Sequence, residues 1–104
     1  MDMPINLGGV IELSGFSSLD SGTMAVLKKI IGNYTRKFID RAEGFEKVSM
    51  HLKCSKSSET DLGLFELNGK VLIKGKMYNS NVTERNIFFA VDNVMKKLHT
   101  SVFD

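Results

Sequence analysis

Three side chains of this sequence could hold a metal or serve a nucleophile, and their spacing argues against both. His51 and His99 are the only histidines and Cys54 is the only cysteine. His51 and Cys54 stand in a run that alternates Val48, Met50, Leu52 and Cys54 with Lys47, Ser49, His51 and Lys53. A strand of that period sends the two to opposite faces, and a tetrahedral zinc site would still lack ligands. A wet histidine and a packed thiol are the expectation. No Ser/His/Asp or Cys/His arrangement is marked in the chain. Gly8-Gly9 and the later glycines match neither a dinucleotide nor a Walker-type phosphate loop, and no two glycines have the spacing of a KH-type backbone clamp. The chain is therefore expected to be no enzyme, with no cofactor and no metal.

The basic residues carry more information. Lys28, Lys29, Arg36, Lys37 and Arg41 fall in one helical segment and Lys96 and Lys97 in another, while Lys70, Lys74 and Lys76 surround a strand turn. At 100° per residue, Lys29, Arg36 and Lys37 share a broad polar band beside the Leu27/Tyr34/Phe38 stripe. Such a band suits phosphate, and it is also how a helix is ordinarily solvated. Lys96 and Lys97 also complement the negative end of their helix. The net charge is only +2, from 14 Lys and Arg against 12 Asp and Glu. Nucleic-acid binding thus requires the cations to be segregated on one face.

The elements that must position these residues are legible from periodicity. Residues 10 to 16 form a first strand ending at Gly15, followed by a capping-rich loop, Ser17-Ser18-Leu19-Asp20. From about Ser21 to Ala42 the apolar positions Met24, Leu27, Ile30, Ile31, Tyr34 and Phe38 recur at helical spacing, and Glu43-Gly44 ends the helix. Gly32 inside it is explained by a close approach to the sheet. The strand of Val48 to Cys54 follows, then a polar connection, 55 to 61, expected to be mobile. Next, Phe65, Leu67, Gly69, Val71 and Ile73 alternate with polar neighbours. Asn68-Gly69 is a strong hairpin signal, but the alternation passes through it unbroken. One long strand is therefore preferred, with its turn at Lys74-Gly75-Lys76 and a last strand from Met77 to about Val82. Thr83 is a plausible N-cap for a second helix that reaches about Ser101 and buries Ile87, Val91, Val94, Leu98 and Val102.

These elements predict a single α+β domain over 1-104, with 1-8 as a flexible N-terminus. The arrangement is a β-α-β-β-β-α two-layer sandwich, a four-stranded sheet with both helices on one face. Composition is ordinary for a globular domain, at 42% hydrophobic and 25% charged residues, and no apolar run is long enough to span a membrane. Met1-Asp2-Met3-Pro4 lacks the basic and apolar regions of a signal peptide, and one cysteine makes no internal disulfide, so a cytoplasmic location is expected.

The second helix opens Phe88-Phe89-Ala90-Val91-Asp92 and continues to Lys96-Lys97-Leu98. Ahead of it stands Val71-Leu72-Ile73-Lys74-Gly75-Lys76, and the first strand reads Ile11-Glu12-Leu13-Ser14-Gly15. Over residues 10 to 100 this resembles the ribosome hibernation-promoting and ribosome-associated inhibitor family. The resemblance implies a domain that sits on small-subunit ribosomal RNA and modulates translation through basic side chains on its helices. Matched by element, those are Lys28, Lys29, Arg36, Lys37, Arg41, Lys96 and Lys97. The mildly positive charge departs from the family pattern. A different class of function remains open, a protein-interaction or homodimerisation module using the open sheet face or edge. Leu72 on a nominally polar face and the Phe-rich second helix motivate it.

Overall fold

A period of two in the strands and of 3.6 in the helices is realised in the expected order. The computed structural model describes residues 5–7, 10–17, 19–55 and 64–104, with backbone alone at 5–7, 54 and 55. The elements are β1 (Ile5–Leu7), β2 (Ile11–Ser14), α1 (Ser21–Arg41), β3 (Phe45–Ser55), β4 (Leu64–Ile73), β5 (Lys76–Glu84) and α2 (Ile87–Phe103). From β2 onward this is the expected β-α-β-β-β-α. β1 adds a fifth strand at the edge, so the segment expected to be a flexible N-terminus is structured at Ile5–Leu7. It pairs antiparallel with β2, Ile5 opposite Leu13, and so gives the outer backbone groups of β2 a partner. The expected packed thiol of Cys54, the mobility of 56 to 61 and the Gly8-Gly9 pair lie outside the described residues.

The sheet runs β1-β2-β3-β4-β5. β2 and β3 are parallel, joined over the sheet by α1, and the other pairs are antiparallel. Both helices pack on one face and bury a single core. The sheet supplies Ile11, Leu13, Val48, Met50, Leu52, Leu67, Val71 and Ile73. The helices supply Leu27, Ile31, Phe38, Ala90, Val91, Val94, Met95 and Leu98, among others. Each buried Leu, Ile or Phe contributes roughly 1.5–3 kcal/mol of transfer free energy, which is the main reason these alternations set the register.

Asp20 caps α1, its Oδ1 accepting from the Thr23 N–H at 3.3 Å. Hydrogen bonding from the Thr23 side chain first, then from the Thr23 and Asp20 backbone N–H groups, holds its carboxyl below the ordinary range against the opposing effect of desolvation. Beyond the helix, Gly44 takes the left-handed conformation. The close approach expected at Gly32 is not there, for a Cβ at Gly32 would meet nothing within 4 Å. It is Gly69 that lies under a helix, where a Cβ would press on Val94 Cγ1 and Leu98 Cδ1 of α2. Asn68-Gly69 therefore sits in mid-strand to let α2 descend, and the strand is unbroken there. The hairpin turns at Lys74 (φ 50°) and Gly75 (φ 78°), a two-residue turn between Ile73 and Lys76. Glu46 Oε2 accepts from the Gly75 N–H at 2.9 Å.

The start of α2 differs from expectation. Thr83 belongs to β5, opposite Glu66. Asn86 is the cap, its Oδ1 accepting from the N–H groups of Phe88 at 2.8 Å and Phe89 at 3.2 Å. An asparagine satisfies the orphaned donors as well as a threonine does, so local sequence could not choose between them.

Candidate nucleic-acid interface

The helix layer concentrates positive charge. α1 and α2 carry seven Lys and Arg but only Asp40 and Asp92 as acids, a net +5. Against a chain total of +2, everything outside the helices is net −3. Counted by element, positive charge is concentrated in the helix bodies, with the acids Asp20, Glu43 and Asp104 standing at or just beyond their ends.

The cations do not form one cluster. Tyr34 of α1 donates its hydroxyl to Asp92 Oδ1 of α2 at 3.0 Å, and Arg41 lies 4.8 Å over the ring of Phe103. Contacts thus advance together along the two helices, which run parallel. Around this seam stand Lys37, with Nζ 5.2 Å over the Tyr34 ring, Arg41, and Lys96, whose Nζ is 3.9 Å from Asp92 Oδ2. Lys29 and Arg36, seven residues apart, share the solvent crest of α1, both exposed. Lys28 precedes Lys37 by nine residues, a rotation of about 180°, and lies on the flank away from α2. Lys97 borders a groove of about 450 Å³ between α2 and β5, with Asn79, Ser80, Lys96, Thr100 and Ser101. Lys37, Arg41 and Lys96 flank the seam through contacts with Tyr34, Phe103 and Asp92, Lys29 and Arg36 lie on the adjoining crest of α1, and Lys28 and Lys97 lie on the outer flanks. Among the described residues, Lys96 alone of the seven has a carboxylate within ion-pair distance.

Two seam groups titrate abnormally. Removal from water, reinforced by the Asp92 carboxylate, raises the Tyr34 phenol above its usual range. His99 packs between Phe38 and Phe103, ring centroids 5.8 and 4.6 Å away. Desolvation first, then the charges of Arg41 and Lys37, lower its pKa, with Asp104 opposing. The unfolded imidazole titrates near its ordinary 6.5. Below that pH the unfolded chain takes up a proton that the folded one resists, so stability is complete above 6.5 and falls on acidification. Melting temperature measured against pH should show this decline, and His99→Asn should flatten it; parallel curves would count against an imidazole held neutral at the seam.

The opposite sheet face is open and polar. Ser14 Oγ and His51 Nδ1 meet at 2.8 Å, placed side by side by the parallel β2–β3 register, and Glu12 pairs with Lys47 at 2.8 Å. The serine–histidine contact had no signal in the sequence beyond shared strand parity. His51 is exposed, and among the described residues no carboxylate is hydrogen-bonded to its other nitrogen, so the orienting member of an acyl-transfer triad is missing. A recess of about 370 Å³ beside it is lined by His51, Lys70 and the amides of Asn68, Asn79 and Asn81. Tyr34, Asp92 and His99 were also missed as a unit, because the helix pairing that joins them is invisible to local pattern.

Neither models of known protein families nor curated protein sequences match this chain. Fold and charge define its class, a two-layer α+β domain with a basic helix layer over a polar open sheet. Among the described residues no helix is long and apolar enough to cross a membrane.

Proposed function

We propose that the domain is a non-enzymatic, cytoplasmic RNA-binding module that docks its helix layer on phosphate backbone. The observation that carries this is the net +5 of α1 and α2 in a chain of net +2. Lys37 and Arg41 lie over aromatic rings, which limits the side-chain entropy lost when they bind. Arg41 stands in the last turn of α1 and partly offsets that helix C-terminus, whereas α2 runs to Phe103 and leaves Lys96 and Lys97 before its last turn; Lys29 and Arg36 on the crest are the clearest phosphate contacts. The resemblance of the β-α-β-β-β-α order and of Phe88 to Leu98 to the ribosome hibernation-promoting family makes small-subunit ribosomal RNA the intended surface, with translation as the process modulated.

Engagement of about four phosphates would reduce affinity on the order of 10²-fold between about 50 and 200 mM salt. Binding to isolated small ribosomal subunits and to a structured RNA of equal length, measured at both salts, tests this. Absence of binding at the lower salt would reject RNA as the partner, and equal affinity for both RNAs would reject the ribosome as the preferred one. For the alternative of self-association, the open sheet face offers only Leu72 beside the exposed Met77 among polar neighbours, and the β5 edge is the stronger support.

A further inference from the structure

β5 is a sheet edge without the usual protections against pairing. It holds nine residues in unbroken register with β4, from Lys76 opposite Ile73 to Glu84 opposite Phe65, with neither bulge nor proline. Its centre, Met77 to Thr83, is uncharged, and Met77 is 48% exposed. Soluble proteins protect edges of this kind with central charges, prolines, bulges or a covering element. Among the described residues, one row of β5 backbone donors and acceptors has no neighbouring strand. The opposite edge, β1, has only three residues.

We propose that β5 pairs antiparallel with β5 of a second copy about a two-fold axis through Ser80, joining two five-stranded sheets into one of ten. The side chains select this register. Lys76 then opposes Glu84 of the second copy, and the symmetry repeats that ion pair at the other end. Between them Met77 opposes Thr83, Tyr78 opposes Val82 and Asn79 opposes Asn81. The opposite-charge pair and the aromatic with β-branched pair are types that stabilise neighbouring strands, and the Asn79–Asn81 amides can hydrogen-bond across the seam. A one-residue slip would set the core face of one copy beside the open face of the other. A two-residue slip leaves Lys76 opposite Val82, or Tyr78 opposite Glu84.

An independent observation falls on the axis itself. Ser80 Oγ has no hydrogen-bond partner among the described residues. A turn of its side chain from the core side toward the edge would set it against the Ser80 hydroxyl of the second copy, the cross-strand partner that the single chain does not supply. Because opposed residues share a face, the helices of both copies lie on the same side of the joined sheet. α2 packs over β4 and β5. With strands about 4.8 Å apart, the two α2 helices come to lie on the order of 10 Å apart across the seam, a normal packing distance. The groove lined by Asn79, Ser80, Lys97 and Ser101 becomes part of that seam, and the two basic helix layers become continuous. The pairing does not depend on RNA.

Sedimentation of the full chain from micromolar to millimolar concentration is expected to show a monomer–dimer equilibrium without nucleic acid. Opposed residues in antiparallel strands have Cα atoms about 4.5–5.5 Å apart, within disulfide range. In a Cys54→Ser background, Ser80→Cys should therefore form a covalent dimer on oxidation, and Asn79→Cys alone should not. Mixing the Asn79→Cys and Asn81→Cys chains should cross-link them, which keeps the register testable if Ser80→Cys folds poorly. Glu84→Lys should weaken the dimer about tenfold by replacing two attractive pairs with two repulsive ones, and adding Lys76→Glu should restore it. A monomer at every concentration, cross-linking of Asn79→Cys as fast as of the opposed pairs, or a double charge swap that fails to restore association would overturn the proposal.

Discussion

The double substitution Arg36→Glu with Lys37→Glu is expected to reduce RNA affinity by roughly 10²–10³-fold, while the melting temperature changes by only a few degrees. It lowers the helix layer from net +5 to net +1 and sets two carboxylates where phosphate would approach. Little holds the native pair in place within the fold. Both residues are exposed, and among the described residues neither has a carboxylate within ion-pair distance. The substitution removes the stacking of the Lys37 ammonium over the Tyr34 ring, worth about 0.5–1 kcal/mol at an exposed site. A glutamate at 37 gains Arg41 one turn later as compensation. Fluorescence anisotropy of a labelled RNA, with thermal melting on the same samples, separates binding from folding. Lys28→Glu is the geometric control, since Lys28 points about 180° away from Lys37, and its effect should be several-fold smaller. Unchanged affinity in the double variant would remove α1 from the interface, and equal effects at 28 and 37 would mean diffuse attraction in place of a docked face.

Gly15→Ala should be the most damaging single substitution on the sheet. Gly15 follows β2 with φ +80°, and a Cβ there would run into the carbonyl oxygen of Leu52, with the carbonyl carbon at 3.1 Å and the amide nitrogen at 3.3 Å. The obstacle is backbone of β3, which cannot step aside as a side chain could. The left-handed conformation alone costs an alanine about 1–2 kcal/mol. With displacement of a strand bonded on both sides, a total loss of about 3 kcal/mol or more is expected. For a domain of this size that is a melting temperature lower by at least ~12 °C. Gly32→Ala is the opposite case, with open space at the Cβ and a helical backbone, so it should stabilise by about 0.5–1 kcal/mol. Denaturation curves of the two variants test both, and a Gly15→Ala protein as stable as the parent would mean that β2 and β3 are not held at this spacing.

Some of the domain was legible before any coordinates, for a physical reason. Strand and helix periods, the end of α1 before Gly44, and the turn at Lys74-Gly75 arise from interactions among residues near one another in the chain, so local pattern records them. The unbroken alternation through Asn68-Gly69 was the better guide there because burial of one whole face outweighs the preference of a dipeptide. The cap of α2 escaped because Thr83 and Asn86 are near-equal acceptors, and the choice depends on how far β5 extends beside β4. The close approach expected at Gly32 is made at Gly69 instead, since a glycine does not show whether another backbone or side chain approaches it.

By itself, the sequence determined the element order from β2 onward, the faces that must be buried and the positions of the seven basic residues along two helices, while the edge strand β1 left no legible pattern. Only the tertiary structure decided that those helices lie parallel and joined by Tyr34 and Asp92, that Lys37, Arg41 and Lys96 flank their seam while Lys28 and Lys97 stand apart, and that β5 is, among the described residues, an unpaired edge. Helix pairing and strand order join residues tens of positions apart through packing and hydrogen bonds with the whole domain. Charge segregation falls between the two: its sum could be counted along the chain, but it became a surface only when both helices were laid on the same face of the sheet.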